Sequence, residues 1–225
     1  MSPRDDTLYL SILQPFMIIS LLFSQPLVFF GWAVAMILAI AVHEFSHATM
    51  ATYLGDQTAR LQGRLTLNPL AHLDVWGTIL MLTIGFGWGK PVPFNPYNLK
   101  FQRFGPALVS LAGPISNLLM VVVGILVLKF VYPLTGLGPD NGLQLLIELF
   151  IMINAVLMIF NFIPLPPLDG SKALFAILPR RFERQRMFIE KYGILILFGM
   201  LLFLPGVFDA IFGVTLGVIN WFIAL

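Results

Sequence analysis

The chain contains no cysteine. Disulfides are therefore excluded, as are thiolate metal ligands and a cysteine nucleophile. Charge is also scarce. Asp, Glu, Lys and Arg make up 11% of the 225 residues, where soluble domains carry about 25%. Histidine occurs three times, so a metal site must draw on those three, on carboxylates and on water. The net charge of +2 gives no electrostatic footprint for nucleic acid. No internal repeat is present.

Apolar residues fill the space that charge leaves. They make up 58% of the chain, and the mean hydropathy is +0.90. Several apolar stretches approach the 20 or so residues that cross a bilayer as a helix. The sequence predicts an all-α polytopic membrane protein with about five to six transmembrane helices. Residues 1–225 form one membrane domain, with a core over about 27–178 and a C-terminal block over about 192–225.

The first stretch runs from about Leu8 to Phe23. It lacks a basic leader and a small-residue cleavage site, so it reads as a retained span. Ser24-Gln25-Pro26 reads as a tight turn before a second span, Leu27 to Leu54. Val75 to Trp88 is apolar, glycine-rich and short for a span. It reads as a re-entrant hairpin between the second and third spans, tolerated at depth where protein or a wet cavity surrounds it. The third span covers about Phe104 to Tyr132 and the fourth about Leu143 to Ile163. Pro164, Pro166 and Pro167 forbid further helix. A basic segment, Arg180 to Lys191, precedes the last block, which Pro205-Gly206 can split in two.

The positive-inside rule then orients the chain. With a cytoplasmic N-terminus and a re-entrant hairpin, every one of the 13 Lys and Arg except Lys129 falls on the cytoplasmic side. A full crossing at Val75–Trp88 would divide the basic loops between the two faces.

Within the second span lies His43-Glu44-Phe45-Ser46-His47. Residues four apart share a helix face, so His43 and His47 can hold one metal ion. Glu44 is placed to act as general base. Ionisable groups in a membrane helix cost several kcal/mol unless they have a use. A catalytic zinc site needs a third protein ligand. The candidates are His72, Asp74, Glu148 and Asp169. Asp169 returns to the side where His47 lies and can fold back to its depth. It reads equally well as the cap of a helix starting near Ser171. Asn117 and Asn161 are polar residues in apolar helices. Interhelical hydrogen bonding is the ordinary role, and it is the role expected for Asn117. An amide beside a metal can also donate to an oxyanion.

Taken in order, His43-Glu44-x-x-His47, Gly113-Pro114-x-x-Asn117 and Asn161-x-x-Pro164-x-x-x-x-Asp169-Gly170 resemble the site-2 proteases, which are intramembrane zinc metalloproteases. Asn68-Pro69-Leu70-Ala71-His72 and Gly87-Trp88-Gly89-Lys90-Pro91-Val92-Pro93 resemble their compact prokaryotic branch, without PDZ or CBS domains. The resemblance implies one zinc ion per chain, bound by His43, His47 and Asp169, with Glu44 as general base. It implies that Asn161 binds substrate or stabilises the oxyanion, and that the hairpin borders the substrate path. The implied partners are a single-span membrane substrate and the lipid bilayer, with room for a regulatory membrane partner. Localisation follows as multi-pass in the cell membrane, with the site opening to the cytoplasm. The alternatives are an inactive homologue that binds membrane helices and, less well supported, a metal transporter. Transporters carry repeats or several intramembrane charges, and neither is present.

Overall fold

The computed structural model describes residues 18–85, 87–138 and 141–204, with a few isolated positions beyond. Its elements are helical. The first is a short helix, α1 (Ile18–Ser24), separated from α2 (Pro26–Tyr53) by Gln25 alone. Pro26 stands at the start of α2, where its missing N–H is no loss. The expected turn is thus one residue wide. Residues 8–17 of the first expected span lie outside the described region.

Three helical stretches are long and apolar enough to cross a membrane among the described residues: Pro26–Tyr53, Gly105–Thr135 and Gly142–Phe162. After α2 comes the single turn α3 (Thr58–Leu61), then α4 (Val75–Ile84), α5 (Gly105–Leu126) and α6 (Gly142–Phe162). The chain after α5 stays helical through a π turn and a 3-10 turn to Thr135. Helices α2, α5 and α6 pack against one another as the centre of the molecule. Small side chains on α2 (Ala33, Ala35, Ala39, Ala48 and Ala51) are buried there and let the helices approach closely. Ile18, Trp32, Met81, Leu149 and Met152 form the main apolar cluster, joining α1 and α4 to α2 and α6.

The re-entrant segment is a helix and an extended return. Asp74 caps α4 by accepting the Gly77 N–H at 2.9 Å. After ten helical residues Gly85 turns the chain in a left-handed conformation, φ 81°. A helix of that length reaches about 15 Å, half of a bilayer core. The return limb lies tight on α4, because a Cβ on Gly77 would come within 2.0 Å of the Trp88 carbonyl oxygen. The Lys90 N–H donates to the His72 carbonyl at 2.7 Å, and Leu73 bridges Gly89. Both ends of the hairpin therefore sit at one level.

Beyond α6 the prolines break the helix as expected. The chain then forms α7 (Gly170–Ile177) and α8 (Glu183–Phe203). One expectation needs correcting here. Most of the basic segment 180–191 is not a loop before the last block. From Glu183 it is the first half of α8, held on its surface by Arg186 pairing with Glu190 at 3.1 Å. Charged residues at i and i+4 support a helix. Pro205 lies outside the described residues.

Candidate active site

His43 and His47 project from α2 toward α5 and the loop before α7. Both are buried. Their Nε2 atoms are 3.0 Å apart, and each lies 3.1 Å from Asp169 Oδ2. These three side chains form the one group with metal-ligand geometry among the described residues. Asp169 stands at the start of α7, yet its side chain caps nothing. It turns inward instead, toward the two histidine rings, and the cap reading is not met. Its other oxygen accepts from Ser110 Oγ at 2.7 Å.

The donor set fits a cation. His47 Nδ1 faces the Val109 carbonyl at 2.7 Å, and a carbonyl only accepts. The ring proton is therefore on Nδ1 and Nε2 is a lone pair. His43 Nδ1 likewise donates to Asn117 Oδ1 at 2.6 Å. With both rings neutral, two lone pairs and a carboxylate oxygen converge with no hydrogen among them. That arrangement repels itself unless a positive charge lies between. Edges of 3.0–3.1 Å suit an ion with bonds of about 2.0–2.2 Å to N and O. Gly113 on α5 leaves room: a Cβ there would lie 2.5 Å from His47 Nε2 and 2.6 Å from His43 Nε2.

Glu44 is half-buried beside this group. Its Oε2 accepts the Val92 N–H from the hairpin's return limb at 3.1 Å. Val92 sits between Pro91 and Pro93, neither of which has an N–H, so it carries the one backbone donor of that triplet. A cavity of about 460 Å³ opens over the donors and is walled by Glu44, Trp88, Phe94, Asn161, Lys172 and Phe198. Asn161 lies on this wall, with one amide hydrogen spent on the Leu157 carbonyl at 3.0 Å. Its remaining amide hydrogen and its oxygen have no such bond among the described residues.

The other candidates fall away. His72 is fully buried at the hairpin base, where its Nε2 donates to the Thr66 carbonyl at 2.7 Å. Asp74 is a helix cap, and Glu148 accepts from Gln144 within α6 at 2.7 Å. Asn117 joins helices as expected, but it does so directly behind His43. Three contributors went unread in the sequence: Ser110, the Val109 carbonyl and Asn154. Ser110 was detectable, since it precedes Gly113 and Asn117 by three and seven residues on one helix face.

Comparison with known proteins gives the family. The model of "Peptidase family M50" matches residues 135–204, which include Asn161 and Asp169. "Putative zinc metalloprotease YwhC" of Bacillus subtilis (strain 168) is 42% identical over 166 residues, covering 72% of this chain and 76% of the relative. The chain belongs to peptidase family M50. Two proteins called "Putative zinc metalloprotease Rip2" are more distant. The one from Mycolicibacterium smegmatis is 29% identical over 183 residues, 78% of this chain and 66% of the relative. The one from Mycobacterium tuberculosis (strain ATCC 35801 / TMC 107 / Erdman) is 29% identical over 206 residues, 88% of this chain and 76% of the relative. No solved structure matches. This M50 chain is a metalloprotease of the site-2 kind and a membrane protein.

Proposed function

We propose that the chain hydrolyses peptide bonds within or near the transmembrane segments of single-span membrane proteins, using one zinc ion held by His43, His47 and Asp169. The convergence of three bare acceptor atoms carries this reading. Zinc, when bound, polarises a scissile carbonyl and lowers the pKa of a bound water.

The chain's own groups then divide the work. Glu44 accepts the proton of the attacking water and delivers it to the leaving amine nitrogen as the C–N bond breaks. The Val92 N–H holds the Glu44 carboxylate toward the cavity. Asn161 offers its free amide hydrogen to the developing oxyanion. The extended limb 87–93 borders the cavity and can pair with an unwound substrate strand. Ile194, Leu197 and Phe198 of α8 supply an apolar wall opposite. The site opens to the cytoplasmic side of a multi-pass protein in the cell membrane, as the distribution of Lys and Arg supports. A regulatory membrane partner fits this scheme.

Glu44→Gln tests it. Cleavage of a single-span substrate should fall by at least about 10²-fold, while zinc and substrate still bind. Undiminished cleavage by Glu44→Gln would remove Glu44 from the role of base.

A further inference from the structure

Behind the metal donors a chain of hydrogen bonds crosses α6, α5 and α2. It ends at Asn154 on α6, which is fully buried. Asn154 Nδ2 donates to the Phe150 carbonyl at 2.8 Å. A backbone carbonyl only accepts, so the Asn154 nitrogen is fixed on that side and its oxygen faces Asn117. Asn117 Nδ2 donates to that oxygen at 2.9 Å. Asn117 Oδ1 is thereby turned to His43 Nδ1, 2.6 Å away.

We infer that Asn154 is a positioning residue for the metal, acting through Asn117 on the tautomer of His43. The inference rests on the reading of His43, His47 and Asp169 as metal ligands. An asparagine amide is nearly symmetric in shape, so nothing steric keeps Asn117 from rotating by a half-turn. Rotated, its nitrogen would face His43 Nδ1, which would then have to accept. The ring proton would move to Nε2 and occupy the position the ion needs. Asn117 has one other bond, from Nδ2 to the Ala39 carbonyl, and at 3.5 Å it is too long to fix the amide. His47 needs no such guard, because the acceptor at its Nδ1 is the Val109 backbone, which cannot flip. One ligand is thus oriented by rigid backbone and the other by an invertible amide, and Asn154 removes the second ambiguity. Partners behind a ligating histidine typically carry about 10–100-fold of metal affinity.

A double-mutant cycle separates this role from simple packing. Zinc affinity would be measured by competition with a chromophoric chelator on the full chain in detergent, for wild type, Asn154→Leu, Asn117→Asp and the double variant. A carboxylate in place of the Asn117 amide presents an oxygen to His43 in either orientation, so it needs no guard. Asn154→Leu should bind zinc about 10–100-fold more weakly than wild type. In the Asn117→Asp background the same change should cost less than about twofold. An equal loss in both backgrounds, or no loss in either, overturns the proposal. If Asn154→Leu alone does not fold, the double variant decides. Binding as tight as Asn117→Asp supports the inference, and failure to fold or bind overturns it. A wild type that takes up no zinc brings down the metal reading itself, and the relay falls with it.

Discussion

Gly113→Ala should empty the metal site while leaving the fold intact. The methyl carbon would lie 2.5 Å from His47 Nε2 and 2.6 Å from His43 Nε2 and Cε1. Carbon and nitrogen settle near about 3.5 Å, so the rings must retreat by roughly 0.9 Å. Ligand distances in a metal site tolerate about 0.2 Å. The displacement exceeds that several-fold, and both histidines are hit at their donor atoms. Zinc affinity should therefore fall by more than about 100-fold, and cleavage with it. Stability should change little. Alanine favours a helix interior over glycine by about 1 kcal/mol, which partly offsets an overpacking cost of about 1–3 kcal/mol. The assay is zinc per purified chain together with a thermal unfolding curve. Gly124→Ala is the control. It lies on the same helix, and its methyl would meet the Ile151 side chain, far from the donors. Full zinc occupancy in Gly113→Ala would refute the close approach of α5 to the histidines.

Three further outcomes can be checked. Asp169→Ala should lose most of its zinc, whereas His72→Ala should keep about one ion per chain; zinc loss confined to His72→Ala would reassign the third ligand. Gly170→Ala should also lose zinc, because its methyl would lie 2.4 Å and 2.7 Å from the Phe162 and Ile163 backbone oxygens and would push Asp169 out of place; normal zinc content would show that this loop yields freely. Asp56 ties the end of α2 to the hairpin exit, accepting from the Asn95 N–H at 2.7 Å and from Thr58 and Asn98 side chains. Asp56→Ala should cost about 3 kcal/mol in stranded donors, read as a lower melting temperature. Burial pushes the Asp56 carboxyl up, yet the bonds from Thr58, Asn98 and Asn95 outweigh it and hold it below the usual range. Its contribution is therefore present above about pH 4 and is lost as the pH falls through the lower folded value. Wild type should lose this increment in acid and Asp56→Ala should not.

Much of the site could be read because its spacing is local. His43, Glu44 and His47 lie within one helical turn, and the period of an α-helix alone puts the two rings together. The hairpin was legible for a related reason: Val75–Trp88 is too short to cross, and its glycines let the return limb touch α4. The basic segment is for the most part helical: in α8, Arg186 pairs with Glu183 and Glu190, three and four residues away, on the helix surface. Asp169 was ambiguous, because the sequence before a short helix offers the same residue to a cap and to a distant ligand set. In the folded chain the carboxylate turns inward to the two rings and to Ser110.

Asn154 shows where local reading ends. It stands seven residues before Asn161, on the same face of α6, and both look like lone polar residues in an apolar helix. Their roles diverge through what lies opposite. Asn161 faces the cavity, while Asn154 meets Asn117 on α5, which in turn meets His43 on α2. No spacing within α6 encodes that meeting, since it depends on how three helices are set against one another. The small residues on α2 and α5 set that distance. Ala39 and Gly113 bring the backbones close enough for two amides and an imidazole to span the gap in direct bonds of 2.6 and 2.9 Å. With larger side chains there, water would have to fill the gap, and a water, which both donates and accepts, would leave the His43 tautomer undetermined. Close helix packing is therefore a condition of the chemistry at the site as well as of the fold.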